Sequence, residues 1–282
     1  MKKTILITGG YGFVGSQIVK FLEKNKNYKI KLISRKKKHL YKYNKNENIS
    51  VFLTKNLFLE DYNWWVKILE NVDVFIHAAW FVEPNRYMTS NLNIQCLEGS
   101  LTIGRAVCNS SVKNFIGLGT CFEYDIKDKP LDVTTPLKPI SIYAKSKVAT
   151  YLGLSMMFSL NKVNFVWCRL FYLYGVGEHK SRLMPMIKHN LSKNLPVIIR
   201  NKDKVRDFLN VKKAGELIVN QVENSRNEIV NICSGVPITI ENFVYNIADK
   251  VGKRSLIKFK KDNSDSFEPD FVVGSINQKN EG

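Results

Sequence analysis

The sequence lacks a long apolar run. No segment approaches the ~20 consecutive apolar residues that a membrane-spanning helix needs. The start, MKKTILITGG, resembles a signal peptide only in its lysines, because its apolar stretch is short and ends at two glycines. We therefore expect a cytoplasmic protein without a membrane partner.

Cysteine and histidine are too few and too scattered to predict a disulfide framework or a metal site. The five cysteines form no CxxC pair, and an odd number at wide spacing is typical of free thiols in a reducing compartment. The four histidines show no metal-ligand spacing.

Arginine is also scarce, although the net charge is +18. Most of the basic residues are lysine, whereas bidentate contacts to bases and phosphates favour arginine. Abundant Lys and Asn indicate compositional drift in an AT-rich genome, with a mild preference for anionic small molecules. We expect no nucleic-acid partner, and keep a non-catalytic RNA-binding module as a remote alternative.

Strand-like and helix-like segments alternate over the first 170 residues. Strands are predicted at 4–8, 28–34, 48–54, 72–79, 113–120 and 163–171, and helices at 13–24, 87–110 and 141–160, the last with Ser141 as N-cap. This alternation predicts a doubly wound parallel α/β sheet of the Rossmann type over residues 1–170. After residue 170 the rhythm breaks, so 171–282 is predicted to form mostly a smaller substrate-binding lobe, with 205–225 returning to the first domain.

Three glycines follow the first strand and open the first helix. Gly9, Gly12 and Gly15 give the tight turn and close backbone approach that a dinucleotide pyrophosphate needs, although a glycine loop alone is weak evidence. The second strand ends in Ser34 and Arg35 rather than in the acid typical of NAD binding. This favours NADP(H), with NAD(H) open and a merely solvated basic run as the alternative.

A phenol and an ammonium share one face of the helix at 141–160. Tyr143 and Lys147 are four residues apart, and an ammonium near a phenol lowers the pKa of the phenol. Such a pair is common by chance as a surface feature. It gains weight from Thr120, which ends the fifth predicted strand at the sheet edge where ligands bind.

Seven motifs occur together in order, and with them the sequence resembles the nucleotide-sugar epimerase/dehydratase branch of the extended short-chain dehydrogenase/reductases. They are TGGYGFVG, HAAW, GTCFEY, YAKSK, RLFYLYG, RDFLNV and NICSG, and the resemblance covers about residues 4–245. It implies a catalytic set of Thr120, Tyr143 and Lys147, with Lys147 also bonding the nicotinamide ribose. It also implies a homodimer formed through the two long helices.

The resemblance extends to individual binding positions. The cofactor-binding residues it implies, with those above, are Gly9, Gly12, Phe13, Val14, Gly15, Ser34, Arg35, Asn56, Leu57, Ala78, Ala79, Tyr143 and Lys147. The substrate-binding residues are Thr120, Cys121, Phe122, Tyr172, Arg182 and Arg206, of which Arg206 contacts the nucleotide diphosphate of the sugar.

Departures from the family pattern bear on the reaction. The 4,6-dehydratases carry Asp-Glu after the catalytic Thr, whereas this chain has Cys121 and Phe122, and Glu123 on a strand would face the other way. Epimerases usually carry the acid that is absent after the second strand. A reductase remains, and the stretches TCFEY and RLFYLYG most resemble those of enzymes that reduce nucleotide-linked 4-keto-6-deoxy sugars. This resemblance implies an NADPH-dependent 4-ketoreductase that serves bacterial surface polysaccharide (lipopolysaccharide) synthesis. A 4-epimerase with tightly bound NAD is the first alternative and a 4,6-dehydratase the second.

Overall fold

The structure, a computed structural model, describes residues 2–43, 46–224, 226–260 and 268–276. Seven strands form one sheet in the order β10-β6-β5-β4-β1-β2-β3, and every neighbouring pair is parallel. These strands are β1 (Lys3–Thr8), β2 (Tyr28–Ser34), β3 (Ile49–Leu53), β4 (Val74–His77), β5 (Asn114–Thr120), β6 (Asn164–Leu170) and β10 (Glu228–Ile232). The predicted doubly wound α/β fold is confirmed.

Helices cover both faces of this sheet. They are α1 (Phe13–Leu22), α2 (Lys38–Lys42), α3 (Tyr62–Ile68), α4 (Leu92–Cys108), α5 (Ile142–Leu160) and α7 (Val211–Val219). In β1, Ile5 and Ile7 pack toward α1 and α7, whereas Leu6 packs toward α3, α4 and α5. Side chains of opposite direction along one strand thus feed two separate cores, which explains why the parallel strands are nearly continuous in apolar residues.

The remaining elements form a smaller lobe beside the carboxyl edge of the sheet. Strands β7 (Tyr172–Tyr174), β9 (Val205–Asn210), β11 (Pro237–Thr239) and β13 (Phe271–Val272) make one sheet, and β8 (Val197–Ile199) pairs with β12 (Ile257–Phe259). Helices α6 (Leu183–Ser192) and α8 (Ile240–Asp249) pack over a separate apolar core. The domain division near residue 170 stays a prediction.

Two segments differ from the sequence expectations. Helix α4 begins at Leu92 rather than at 87, because the Asn93 side chain donates to the carbonyls of Tyr87 and Ser90 and holds this stretch as turns. Strand β10 was not predicted as part of the main sheet, yet it pairs with β6 as the seventh strand. The Ser141 N-cap is confirmed, since its hydroxyl accepts from the Ala144 N–H.

Candidate active site

The glycine loop lies between β1 and α1, pressed against the end of β4. Gly9 has a φ of +70°, and a Cβ on it would lie 2.7 Å from the carbonyl of Ala78 and the nitrogen of Ala79. A Cβ on Gly15 would lie 2.1 Å from the Gly9 carbonyl oxygen, which also accepts from the Gly12 N–H at 2.8 Å. Only residues without a side chain allow this close backbone packing at the start of α1, which is the arrangement by which a glycine loop brings backbone and helix N-terminus to the phosphates of a dinucleotide.

The other predicted cofactor contacts surround this loop. Phe13 and Val14 form the first turn of α1, and Ala78 and Ala79 follow β4 directly. The Ala79 N–H donates to the hydroxyl of Thr8 at 3.3 Å, which ties the β4 end to the loop. These parts of the predicted site therefore lie together.

Two predicted contacts on the adenosine side are already engaged within the chain. Ser34 is buried at the end of β2 and accepts from the Lys36 N–H at 3.0 Å, whereas Arg35 is exposed. Asn56 precedes Leu57 and caps the short helix Leu57–Leu59 by accepting from the Phe58 N–H. Its amide also donates to Gln95, so adenine recognition by Asn56 stays a prediction.

The structure brings Thr120 and Tyr143 together in a buried position. Thr120 ends β5, Tyr143 lies in the first turn of α5, and both are less than a tenth exposed. Burial is the main cause that raises the pKa of Tyr143 above its usual range, and the neighbouring Tyr87 raises it further. A hydrogen bond with Thr120 opposes this shift only in part. The phenol is therefore held in its protonated, proton-donating form.

Lys147 lies one turn further along α5 and is buried as well. Its Nζ donates to the Leu118 carbonyl of β5 at 2.7 Å and lies 3.7 Å from the centre of the Trp80 ring. Burial lowers the pKa of Lys147, and the negative charge of Glu123 partly opposes this effect. Lys147 thus does not bring the phenol pKa below its usual value here, in contrast to the sequence argument.

Glu123 ends the short helix Cys121–Glu123 instead of lying on a strand, so the prediction from strand alternation does not apply, and its side chain lies in a fully buried ion pair. One carboxylate oxygen accepts from the Thr120 N–H at 2.8 Å, and the other accepts from Arg169 Nε at 2.7 Å. Trp167 Nε1 donates to the same carboxylate at 3.0 Å. The Glu123 carboxylate therefore fixes the backbone position of Thr120.

Three of the predicted substrate-binding side chains lie together, namely Phe122, Tyr172 and Arg206. Cys121 is buried and its pKa is raised to about 12 by burial, and Phe122 meets the edge of Tyr172 at 6.1 Å. Arg206 on β9 is buried, lies over the Tyr172 ring at 5.2 Å, and pairs with Glu268 at 3.1 Å.

Two polar groups of this substrate side lack hydrogen-bond partners. Neither the Tyr172 hydroxyl nor Arg206 Nε makes a hydrogen bond within the described part of the chain. Buried polar groups normally have hydrogen-bond partners, so these two atoms are exceptions of the kind that occurs at functional sites.

Arg182 reaches the site through an aromatic ring. It is exposed at the N-cap of α6, and its guanidinium lies 5.5 Å from the Tyr87 ring, which meets Tyr143 edge-on at 5.0 Å. The sequence did not predict Tyr87 as a site residue, because Tyr87 lies in none of the recognised motifs. Nor did it predict the role of Trp80, although Trp80 stands in the quoted HAAW motif.

A buried histidine joins the glycine-loop side to α4. His77 Nδ1 lies 2.7 Å from the Thr8 hydroxyl and Nε2 lies 2.9 Å from the Ser100 hydroxyl. Burial lowers the pKa of His77 to about 3, so the ring is neutral.

Within the described residues, no helix is long and apolar enough to cross a membrane.

Among curated proteins the chain is similar to nucleotide-sugar enzymes. It is 23% identical over 249 residues to dTDP-6-deoxy-L-talose 4-dehydrogenase (NAD(+)) of Aggregatibacter actinomycetemcomitans, covering 85% of this chain and 87% of the relative. It is 24% identical over 274 residues to dTDP-4-dehydro-6-deoxyglucose reductase of Escherichia coli, covering 92% and 85%.

Solved structures share the fold. The UDP-N-acetylglucosamine 4-epimerase of Methanobrevibacter ruminantium, in complex with UDP-N-acetylmuramic acid, superposes with a TM-score of 0.86 at 23% identity, covering 98% of this chain and 90% of that one. Several neighbours of this kind were solved with NAD bound. The NAD dependent epimerase/dehydratase family matches residues 5–233, and the chain therefore belongs to that family.

Proposed function

We propose that the protein reduces the C4 keto group of a nucleotide-linked 4-keto-6-deoxy sugar, with NADPH as the reductant. The observation that carries this proposal is the buried phenol of Tyr143, held protonated beside Thr120. Ketone reduction needs a proton donor at the new alcohol oxygen, and a protonated phenol can supply it. A curated relative named as a 4-dehydro-6-deoxyglucose reductase supports the same reaction class.

The glycine loop, the first turn of α1 and the end of β2 are proposed to hold the dinucleotide. A nicotinamide dinucleotide, when bound, supplies the hydride. The glycines at positions 9 and 15 support this placement, because a side chain at either would collide with the neighbouring backbone and change the loop that has to approach the phosphates. Ser34 and the exposed cation of Arg35 suit a 2′-phosphate, although relatives and solved neighbours name NAD.

Each of the three central side chains has a proposed role. Thr120 hydrogen-bonds the sugar carbonyl oxygen and holds it beside Tyr143. Tyr143 gives its phenolic proton to that oxygen as the carbonyl carbon is reduced. Lys147 then stabilises the phenolate that remains, which requires the ammonium form of a buried lysine.

Arg206 and Tyr172 are proposed to recognise the nucleotide end of the substrate. Both carry polar atoms without hydrogen-bond partners in the described residues, and Arg206 brings a buried positive charge toward a diphosphate. Glu268 now pairs with Arg206 and would have to give way to the ligand.

The absence of an acid-base pair after Thr120 disfavours dehydration. Cys121 has a pKa raised to about 12, Phe122 cannot transfer a proton, and Glu123 is committed to its buried partners. A 4-epimerase is the second candidate, because the solved neighbour with a TM-score of 0.86 is a 4-epimerase.

The experiment follows NADPH absorbance on adding 4-keto-6-deoxy sugars linked to different nucleotides. Tyr143→Phe should lower kcat by about 10²–10⁴-fold, because it removes the proton donor. Tyr151→Phe, two turns further along α5, is the matched control and should stay close to wild type. Undiminished turnover in Tyr143→Phe would refute the site. Purified protein that carries NAD and interconverts sugars without a reductant would favour the epimerase.

A homodimer built on α4 and α5 is also proposed. These helices pack side by side, and Leu152 and Met156, four residues apart on α5, remain more than half exposed. Such a neighbouring apolar pair on one helix face is suited to a partner helix. Met156→Lys should shift the protein from dimer to monomer in analytical ultracentrifugation. The same mass for wild type and Met156→Lys would contradict this interface.

A further inference from the structure

His39, in α2, lies next to the end of β2 and belongs to none of the motifs identified in the sequence. The His39 ring of α2 stacks on the Tyr11 ring of the glycine loop, with centroids 3.6 Å apart and an interplanar angle of 9°. His39 Nδ1 lies 2.6 Å from the Ser34 hydroxyl oxygen. Stacking and hydrogen bond together fix the orientation of the ring beside the predicted adenosine end of the dinucleotide site.

The surroundings of His39 are cationic. Lys36 and Lys38 approach from the chain segment around it, and Lys42 approaches from the end of α2. Burial and then these three lysines lower the pKa of His39, so the ring is neutral at physiological pH. No carboxylate acts on the ring among the described residues, and Glu23 acts only on the phenols of Tyr11 and Tyr43 behind it.

The direction of the hydrogen bond between Ser34 and His39 depends on whether the His39 ring is protonated. Its oxygen already accepts from the Lys36 N–H. With a neutral ring, Ser34 can donate its proton to His39 Nδ1. With a protonated ring, both ring nitrogens are donors, so Nδ1 donates to Ser34, and the Ser34 proton turns from the ring to the Lys36 carbonyl oxygen at 3.4 Å or to an acceptor on a ligand. Protonation of His39 therefore makes the Ser34 hydroxyl a donor to groups other than the ring, and a strong anionic acceptor would compete with the weakly held Lys36 carbonyl.

We propose that His39 is a specificity-determining residue that favours a phosphomonoester at the adenosine 2′ position, and that it does so in its protonated form through Ser34. This inference rests on the proposed dinucleotide site. A phosphate dianion counteracts the repulsion among the lysines and supplies an acceptor for the Ser34 proton. Preference for NADP over NAD should therefore increase as the pH falls, and binding should take up a proton.

The test uses two cofactor fragments, 2′,5′-ADP and 5′-AMP, which differ in the 2′-phosphate alone. Their Kd values are measured by calorimetry between about pH 8.5 and pH 6.5, above the second phosphate pKa near 6. In the wild type, the preference for 2′,5′-ADP should rise steadily as the pH falls over this range, by at most about tenfold for each unit by which binding raises the pKa of His39. Titrations in buffers of different ionisation enthalpy should show proton uptake with 2′,5′-ADP and none with 5′-AMP.

His39→Gln keeps an amide donor but cannot change charge, so its preference should not vary with pH beyond the contribution of the phosphate. His189→Gln, at an exposed position on α6, is the control and should behave like wild type. Arg35→Gln should lower the preference at every pH without removing the slope.

The outcomes separate this inference from the cofactor proposal. If wild type prefers 2′,5′-ADP but His39→Gln keeps the same pH slope, the role of His39 is refuted and the NADP proposal stands. If wild type shows no preference at any pH, both fail. Should His39→Gln not fold, the wild-type proton uptake decides: equal uptake with both fragments would overturn the inference.

Discussion

The buried Glu123–Arg169 pair gives a prediction that needs no substrate. Both side chains are 1% exposed or less, and Arg169 Nε and Glu123 Oε2 are 2.7 Å apart. Glu123→Gln leaves the guanidinium without its counter-charge. It also replaces one acceptor oxygen by a donor group, although Thr120, Trp167 and Arg169 all donate to this carboxylate.

The expected loss of stability is large. Breaking a buried ion pair from one side costs about 3–5 kcal/mol, because an uncompensated charge stays in the interior. At about 2–4 °C per kcal/mol for chains near this size, Tm should fall by on the order of 10 °C. Circular dichroism during heating measures this directly.

A matched control is the exposed pair Lys213–Glu216, whose atoms are 3.1 Å apart with both side chains more than two-fifths exposed. Glu216→Gln should change stability by less than about 1 kcal/mol. In a double-mutant cycle, Glu123→Gln with Arg169→Met should cost at least about 2 kcal/mol less than the two single changes added together. If Glu123→Gln costs no more than Glu216→Gln, the assigned role of the buried pair is wrong.

Three further predictions follow from the buried site. Burial lowers the pKa of His77 to about 3, against 6.5 in the unfolded chain. The free energy of unfolding should therefore fall by about 1.4 kcal/mol per pH unit as the pH drops below 6.5. Urea unfolding at several pH values measures this slope, and the His77→Asn variant should lack it. Gly15→Ala should lower Tm strongly, because its Cβ meets the Gly9 carbonyl at 2.1 Å. Gly12→Ala, at 3.2 Å, should keep most of the stability but weaken dinucleotide binding in a fluorescence titration. Lys147→Met should raise the stability at pH 7 by about 1 kcal/mol or more, because burial disfavours the ammonium; a lower Tm would contradict this sign.

The local parts of the fold could be predicted from the sequence because their signals are local. Strand β2 has the predicted bounds of 28–34, and Ser141 caps α5 as predicted. The glycine loop is local in the same way, since Gly12 and Gly15 both approach the carbonyl oxygen of Gly9.

The contacts that define the candidate site could not be predicted in this way, because their partners are distant in sequence. Glu123 meets Arg169 across 46 positions, and Lys147 meets Trp80, which lies on the far side of α4 and β5 in the chain. Strand β10 is short and only partly apolar, so pairing with β6 rather than its own pattern assigns it to the sheet.

The charge state of the central group shows why burial matters more than spacing here. The four-residue spacing of Tyr143 and Lys147 predicted that the ammonium lowers the phenol pKa, but burial acts on both groups and disfavours phenolate and ammonium alike. In the proposed reaction, proton transfer from Tyr143 creates a buried negative charge, and only then does the attraction to Lys147 reach its full strength. The interaction is therefore stronger after proton transfer than before it, which is the condition for lowering a barrier rather than merely binding the substrate. The carboxylate of Glu123 raises the pKa of Lys147 and so keeps the ammonium accessible for that moment, which joins the buried ion pair to the chemistry above it.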